Sequence, residues 1–211
     1  MNDSGAILIL SGPSGAGKST IIQRAEPLIG DFYFSISTTT RPPREGEVHG
    51  VDYYFTDRES FEREIAAGEF LEYAQVHGNY YGTSLKPVRE ALAEGKLVIF
   101  DIDVQGHRLA RERMGDRITS AFITPPTLAE LEHRLMSRST DDPATVQRRL
   151  ENAREEIRAL EEYDFLIVND DLEKATEEFV SIARAARLRP GHAALQRFRE
   201  SWLASVNNAP H

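Results

Sequence analysis

Gly12, Gly17, Lys18 and Ser19 stand at the spacing G-x-x-x-x-G-K-S, inside Gly12-Pro13-Ser14-Gly15-Ala16-Gly17-Lys18-Ser19-Thr20. Glycines at this spacing let a backbone curl round an oxyanion, so that successive N–H groups point inward and the next helix adds the positive end of its dipole. The lysine then reaches the terminal phosphates of a nucleoside triphosphate, and the Ser19 hydroxyl takes up Mg²⁺. The bland alternative is a Gly/Ser-rich turn between a core strand and a core helix. The apolar run Ala6 to Leu10 before the motif and Thr20-Ile21-Ile22 after it favour the phosphate reading.

Further candidates follow along the chain. Arg41 and Arg44 sit three apart in the Pro/Gly-broken stretch Thr40 to Glu47, either as a solvated turn or as a forked anion clamp, since guanidinium groups bind phosphate bidentately. Glu72 lies among aromatics, where a carboxylate is costly to bury without donors; an exposed strand face reads as well from the residues alone. Asp101 and Asp103 close the run Leu97-Val-Ile-Phe100, placed either to act at the metal or ligand or to cap the next helix. Arg134 and Arg138 share a helix face and Arg149 lies near the start of the following helix, so the three could converge on one anion.

The elements that must carry these residues alternate in type. Continuous apolar runs at Ala6 to Leu10, Leu97 to Phe100, Ile118 to Thr124 and, after its first residue, Asp164 to Val168 predict strands covered on both faces, as in a parallel sheet. Helices are predicted over Lys18 to Ile29, Ser84 to Ala93, Val104 to Met114, Thr127 onward, Pro143 to Glu162 and Leu172 to Arg187. This rhythm predicts an α/β fold with a doubly wound parallel sheet. Residues 37–84, rich in tyrosine and glycine, read as a small, mostly β insertion, with strands expected over Phe32 to Ser37 and Gly50 to Phe55. After Pro190-Gly191 an amphipathic helix from Ala193 to Val206 carries Leu195, Phe198, Trp202, Leu203 and Val206 on one stripe, which is expected to be buried on its own domain or in a dimer contact.

The 211 residues are 40% hydrophobic and 28% charged, enough for one α/β domain with insertions. A net charge of −9 argues against general nucleic-acid binding, which needs a basic face. No apolar run approaches membrane-span length and the first residues lack a charged leader, while the absence of cysteine fits a reducing compartment; a cytoplasmic protein is expected.

Taken together, Ser11-Gly-Pro-Ser-Gly-Ala-Gly-Lys-Ser-Thr20, Phe34 to Glu47, Gly50-Val-Asp-Tyr-Tyr-Phe55, Glu69 to Ala74, Gly78-Asn-Tyr-Tyr-Gly-Thr83, Asp101-Ile-Asp-Val-Gln-Gly106 and Ile167 to Leu172 resemble the guanylate kinases. The resemblance spans about residue 6 to 188 and implies a P-loop NTPase fold that transfers the γ-phosphoryl of ATP to GMP with Mg²⁺. It implies a core of residues 1–36, 85–125 and 159–189, a GMP-binding insertion over 37–84, a lid over 126–158 and a C-terminal helical extension over 190–211. On that likeness Arg41, Arg44, Tyr53 and Tyr81 take the GMP phosphate; Ser37, Glu72, Thr83 and Asp103 read guanine, with Gly82 beside them. Lid residues Arg134, Arg138 and Arg149 close over the ATP phosphates, Asn169 lies near adenine, and Asp101 lies near the metal and acceptor phosphate. The lid turn departs from the family pattern, reading Arg138-Ser139-Thr140 where glycine commonly follows the arginine.

A kinase of the same fold acting on a ribose bisphosphate is disfavoured by Glu72 and Asp103. A non-catalytic binding module of the same family is disfavoured by intact Lys18, Arg41, Arg44 and Asp101. ATP and GMP are therefore the expected partners of a monomer or homodimer, with neither nucleic acid nor membrane.

Overall fold

The computed structural model describes residues 5–76, 78–137, 142–189 and 192–205. Five strands, β1 (Ala6–Ser11), β2 (Phe32–Phe34), β7 (Leu97–Asp101), β8 (Ile118–Thr124) and β9 (Phe165–Val168), form one sheet in the order β2-β7-β1-β8-β9. All four pairings are parallel, with Leu10 beside Asp101 and Ser11 beside Phe122. Side chains alternate across β1: Leu8 and Leu10 pack with α1 (Lys18–Ile29) and α7 (Leu172–Arg187), whereas Ile7 and Ile9 pack with α3 (Leu85–Ala93) and α4 (Val104–Met114). This two-sided burial is why β1, β7 and β8 read as continuous apolar runs. The expectation of two-sided cover fails for β9, which stands at the sheet edge and leaves Phe165 42% and Leu166 47% exposed. The doubly wound α/β expectation is met, and β1, β7 and β8 deliver their carboxyl ends side by side.

A second sheet gathers β3 (Thr38–Thr39), β4 (Tyr54–Phe55), β5 (Phe70–Val76) and β6 (Asn79–Ser84) in the order β4-β3-β6-β5, with α2 (Arg58–Ala66) between β4 and β5. It is joined to the core through Leu71, which is buried with Ile9 and Phe100 in the α3/α4 layer. Helices α5 (Leu128–Ser137) and α6 (Pro143–Glu156) pack on each other through Leu131, Leu135, Val146, Leu150 and Ala153 in a small core of their own.

Several expected boundaries move. The strand expected over Phe32 to Ser37 pairs only as far as Phe34, and that expected over Gly50 to Phe55 reduces to β4, because Gly50 sits in a turn at φ +82°. The helix expected to run to Glu162 ends at Glu156 and tightens into 3₁₀ turns over Ile157–Glu162. The last helix, α8 (His192–Ser205), keeps its apolar stripe in solvent, with Phe198 70% and Trp202 60% exposed. The expected packing on its own domain is therefore not met within the single chain, and Val206 lies outside the described residues.

Candidate active site

The phosphate loop is fixed by sterics. Gly12, Gly15 and Gly17 have φ of +139°, +96° and +96°. A Cβ on Gly12 would lie 1.9 Å from the Ile123 carbonyl oxygen, and one on Gly17 would lie 2.3 Å from the Asn169 amide nitrogen. No side chain caps the first turn of α1, so its N–H groups remain open to an anion. Lys18 folds back to donate to the Gly12 carbonyl at 2.6 Å and lies 3.7 Å from the Asp101 carboxylate. Burial lifts the Asp101 carboxyl above the ordinary range, against the opposing pull of the Lys18 ammonium.

Asn169 braces this loop. Its side-chain amide donates to the Ala16 carbonyl at 2.8 Å, and its backbone N–H bonds Thr124 at 2.8 Å, tying the loop to the ends of β8 and β9. Beside it, Gly15, Gly17, Thr20, Arg134 and Asn169 line a cleft of about 340 Å³. Arg134 binds the Glu130 carboxylate at 2.7 Å and the Asn169 carbonyl at 2.9 Å. Arg149 donates to the Ser14 hydroxyl at 3.3 Å and so reaches the phosphate loop from α6. Arg134 and Arg149 thus stand at different places around the loop, while Arg138, Ser139 and Thr140 lie outside the described residues.

Two carboxylates and two hydroxyls expected to read one base meet in a single cleft. Ser37, Glu72, Thr83 and Asp103, with Tyr81, Gly82 and Gln105, line a space of about 480 Å³ between the second sheet and α4. The register of β5 shifts between Phe70 and Tyr73, and there Leu71 enters the core while Glu72 lines the cleft. Gly82 is glycine because a Cβ would meet the Glu72 carbonyl oxygen at 2.8 Å. Thr83 donates to Glu72 at 3.4 Å. Burial, then the Asp103 charge, raise the Glu72 carboxyl above its usual range. Asp103 also caps α4, accepting from Gly106 N–H at 2.8 Å, so the capping reading is met while the same residue lines the cleft.

At the far end of the same sheet, Arg41 packs over the Tyr53 ring at 5.4 Å, with Tyr81 6.2 Å from Tyr53. Its guanidinium binds Glu47 at 2.7 Å, and the other oxygen of Glu47 accepts from the Arg44 backbone N–H at 2.7 Å. Hydrogen bonding to Glu47, and secondarily to Tyr81, holds the Arg41 charge more firmly. The Arg44 side chain stays exposed.

Sequence reasoning passed over Glu47, Gly106 and Gln105. Glu47 had a local signal, a carboxylate following two arginines. Gly106 had another, a glycine in a helix's first turn; a Cβ there would come 3.1 Å from a Glu72 carboxylate oxygen.

Comparisons with known proteins bear on the family of this chain. The family model described as guanylate kinase matches residues 4–186. The guanylate kinase of Sulfurimonas denitrificans is 56% identical over 199 residues, covering 94% of this chain and 97% of that one. The guanylate kinase of Wolinella succinogenes is 53% identical over 182 residues, 86% of this chain and 85% of the relative. Among solved structures, the guanylate kinase of Anaplasma phagocytophilum superposes with a TM-score of 0.66 at 35% identity, covering 89% of this chain and 88% of that one.

Proposed function

The chain belongs to the guanylate kinase family, whose enzymes move the γ-phosphoryl of ATP to GMP, and we propose that its clefts divide the reaction between them as follows. GMP lies in the Glu72 cleft with its phosphate on Arg41, Arg44, Tyr53 and Tyr81 and its base edge on Ser37, Glu72, Thr83 and Asp103, alongside Gly82. ATP lies with its phosphates on residues 12–20 and its adenine in the cleft of Thr20, Arg134 and Asn169.

The observation that carries this reading is the convergence of Ser37, Glu72, Thr83 and Asp103, from separate chain segments, on one cleft. Guanine offers N1–H and an exocyclic amine as donors, and ionised carboxylates only accept. Adenine would set acceptor against acceptor.

The arrangement needs no covalent intermediate. An acceptor-phosphate oxygen attacks the γ-phosphorus in line, the bond to the β-phosphate oxygen breaks, and ADP leaves with that electron pair. Lys18 and Arg149 face the loop and are suited to offset charge on the transferring group; Arg138, on the same lid over 126–158, is assigned the same task. Asp101 is the carboxylate nearest Lys18 and is assigned to orient the acceptor side. Residues 1–36, 85–125 and 159–189 then act as the core, 37–84 as the acceptor-binding insertion and 190–211 as an extension.

Mg²⁺ fits the donor set. Ser19, on the exposed first turn of α1, and Asp101, at the end of the neighbouring β7, offer hard oxygen donors. Among the described residues no group of three or more His, Cys, Asp or Glu side chains forms an all-protein cage, which suits a site completed by nucleotide phosphates and water. Bound there, the ion would neutralise phosphate charge. Among the described residues no helix is long and apolar enough to cross a membrane. The cysteine-free composition supports a cytoplasmic setting.

Glu72→Gln tests the base assignment. The ratio kcat/KM for GMP should fall by about 1.5–3 kcal/mol, the worth of a charge-assisted hydrogen bond, while KM for ATP stays unchanged. Unchanged GMP kinetics, or equal use of AMP by the unaltered enzyme, would refute it.

A further inference from the structure

Glu156, the last residue of α6, has no role in the scheme above. One of its carboxylate oxygens is buried and meets no hydrogen-bond donor among the described residues. It lines a second cleft of about 470 Å³ with Asp103, Gln105, Arg108 and Asn152. Asp103 and Gln105 also line the base cleft, so the two spaces adjoin across these side chains.

The cations nearby are already engaged. Arg108 grips Glu162 with two hydrogen bonds, at 2.8 and 2.5 Å, Arg158 binds Glu155 at 2.9 Å, and Lys18 rests on Gly12 and Asp101. Burial raises the Glu156 carboxyl, opposed by the charge of Lys18 and reinforced by that of Asp103, which puts it within electrostatic reach of both the phosphate loop and the base cleft. An acceptor-only carboxylate here would repel a phosphate, so its fitting partner is a neutral O–H donor.

We propose that Glu156 is a further substrate-binding residue, accepting a hydrogen bond from the 2′-hydroxyl of the acceptor nucleotide and so reading ribose against deoxyribose from the trailing end of the lid helix. The chemistry of the ligand supports the choice of hydroxyl. The exocyclic amine of guanine and the ribose 2′-hydroxyl are displayed on the same edge of a nucleotide, the one a nucleic-acid minor groove presents. If Asp103 reads that amine, the sugar hydroxyl lies on the Asp103 side, which is the side Glu156 adjoins. The inference rests on the GMP placement given above.

The test is a cycle of enzyme and substrate changes. Steady-state kinetics with saturating ATP would compare GMP, 2′-deoxy-GMP and 3′-deoxy-GMP for the unaltered enzyme, Glu156→Ala, Glu156→Gln and Glu72→Gln. The unaltered enzyme should prefer GMP over 2′-deoxy-GMP by about tenfold to a hundredfold, the range of a hydrogen bond to a charged group. Glu156→Ala should erase that preference by lowering kcat/KM for GMP alone, and Glu156→Gln, which keeps an acceptor oxygen, should retain part of it. KM for ATP and the response to 3′-deoxy-GMP should not separate from those of GMP. Equal losses on GMP and 2′-deoxy-GMP, a raised KM for ATP, or no ribose preference in the unaltered enzyme would each overturn the proposal. Glu72→Gln keeps the two failures apart: it should weaken GMP and 2′-deoxy-GMP alike, and its silence would sink the GMP placement itself. Glu156→Gln preserves size and removes a desolvated charge, so a folded protein is expected for the decisive comparison.

Discussion

The two regions proposed to hold phosphate are built on opposite principles. The phosphate loop is made of backbone: three glycines at positive φ, an uncapped helix start, and a Gly12 position so close to Ile123 that no side chain fits. The Arg41–Arg44 loop is made of side chains, and Glu47 links its two arginines by binding the guanidinium of one and the backbone of the other. The N–H dipoles of the first carry no net charge, and its one cation, Lys18, rests on the Gly12 carbonyl and beside Asp101. A site of guanidinium groups repels itself and needs a counterion. The first is therefore preorganised by the fold, whereas in the second Arg41 must leave or share Glu47 to bind phosphate.

Lys18→Ala is the severest test of the backbone site. Because, among the described residues, Lys18 is bonded to loop carbonyls and lies near Asp101, its loss should leave the fold intact and lower kcat by about 10³-fold or more, as expected for removing charge stabilisation from a phosphoryl transition state. Coupled measurement of ADP release with circular dichroism as the fold control checks this. Substantial turnover in a folded variant would mean that the backbone alone carries the chemistry.

Asn169→Ala asks whether the loop's rigidity is borrowed. Removing a buried amide that bonds Ala16 should cost about 1–3 kcal/mol of stability by leaving that carbonyl unsatisfied, read by denaturant unfolding. A loss within error would show that the glycines hold the loop unaided.

Glu47→Gln probes the side-chain site. With the counterion weakened, Arg41 should lose its set orientation, raising KM for GMP by about tenfold with kcat and KM for ATP nearly unchanged. A lowered KM would instead show that Glu47 mainly competes with the phosphate, and the comparison would then turn on displacement rather than orientation.

The smallest effect concerns Glu72 in the ligand-free enzyme. Its folded-state carboxyl is raised by burial, so the native state binds more protons than the unfolded state in the window between the two pKa values. Stability therefore falls as pH rises through that window, and the cost is complete above the raised folded-state value. Glu72→Gln should raise the melting temperature slightly at pH 7, and the gain should vanish below the ordinary carboxylate range. GMP recognition runs in the opposite sense and is lost as Glu72 protonates on acidification. Thermal melts and kcat/KM for GMP across pH measure both arms.

What the sequence by itself determined is local. The phosphate loop was legible because its geometry depends on glycines within a few residues of one another. Val104–Met114, Ile118–Thr124 and Leu172–Arg187 were legible because helix caps and two-sided apolar runs are local signals. The pairing of Arg41 with Arg44 could be suspected, and the likeness to the guanylate kinases named a role for Glu72, but the residues alone left Glu72 evenly balanced between a strand face and a site. Tertiary structure decided what spacing cannot carry: which face of β5 meets the core through Leu71 and which meets a cleft through Glu72, Asn169 reaching back to Ala16 across 153 residues, and Asp103 capping α4 while lining that cleft. It also left the Phe198 and Trp202 stripe of α8 in solvent, because amphipathicity states that a helix has an apolar face and says nothing of whether another surface lies within reach to bury it.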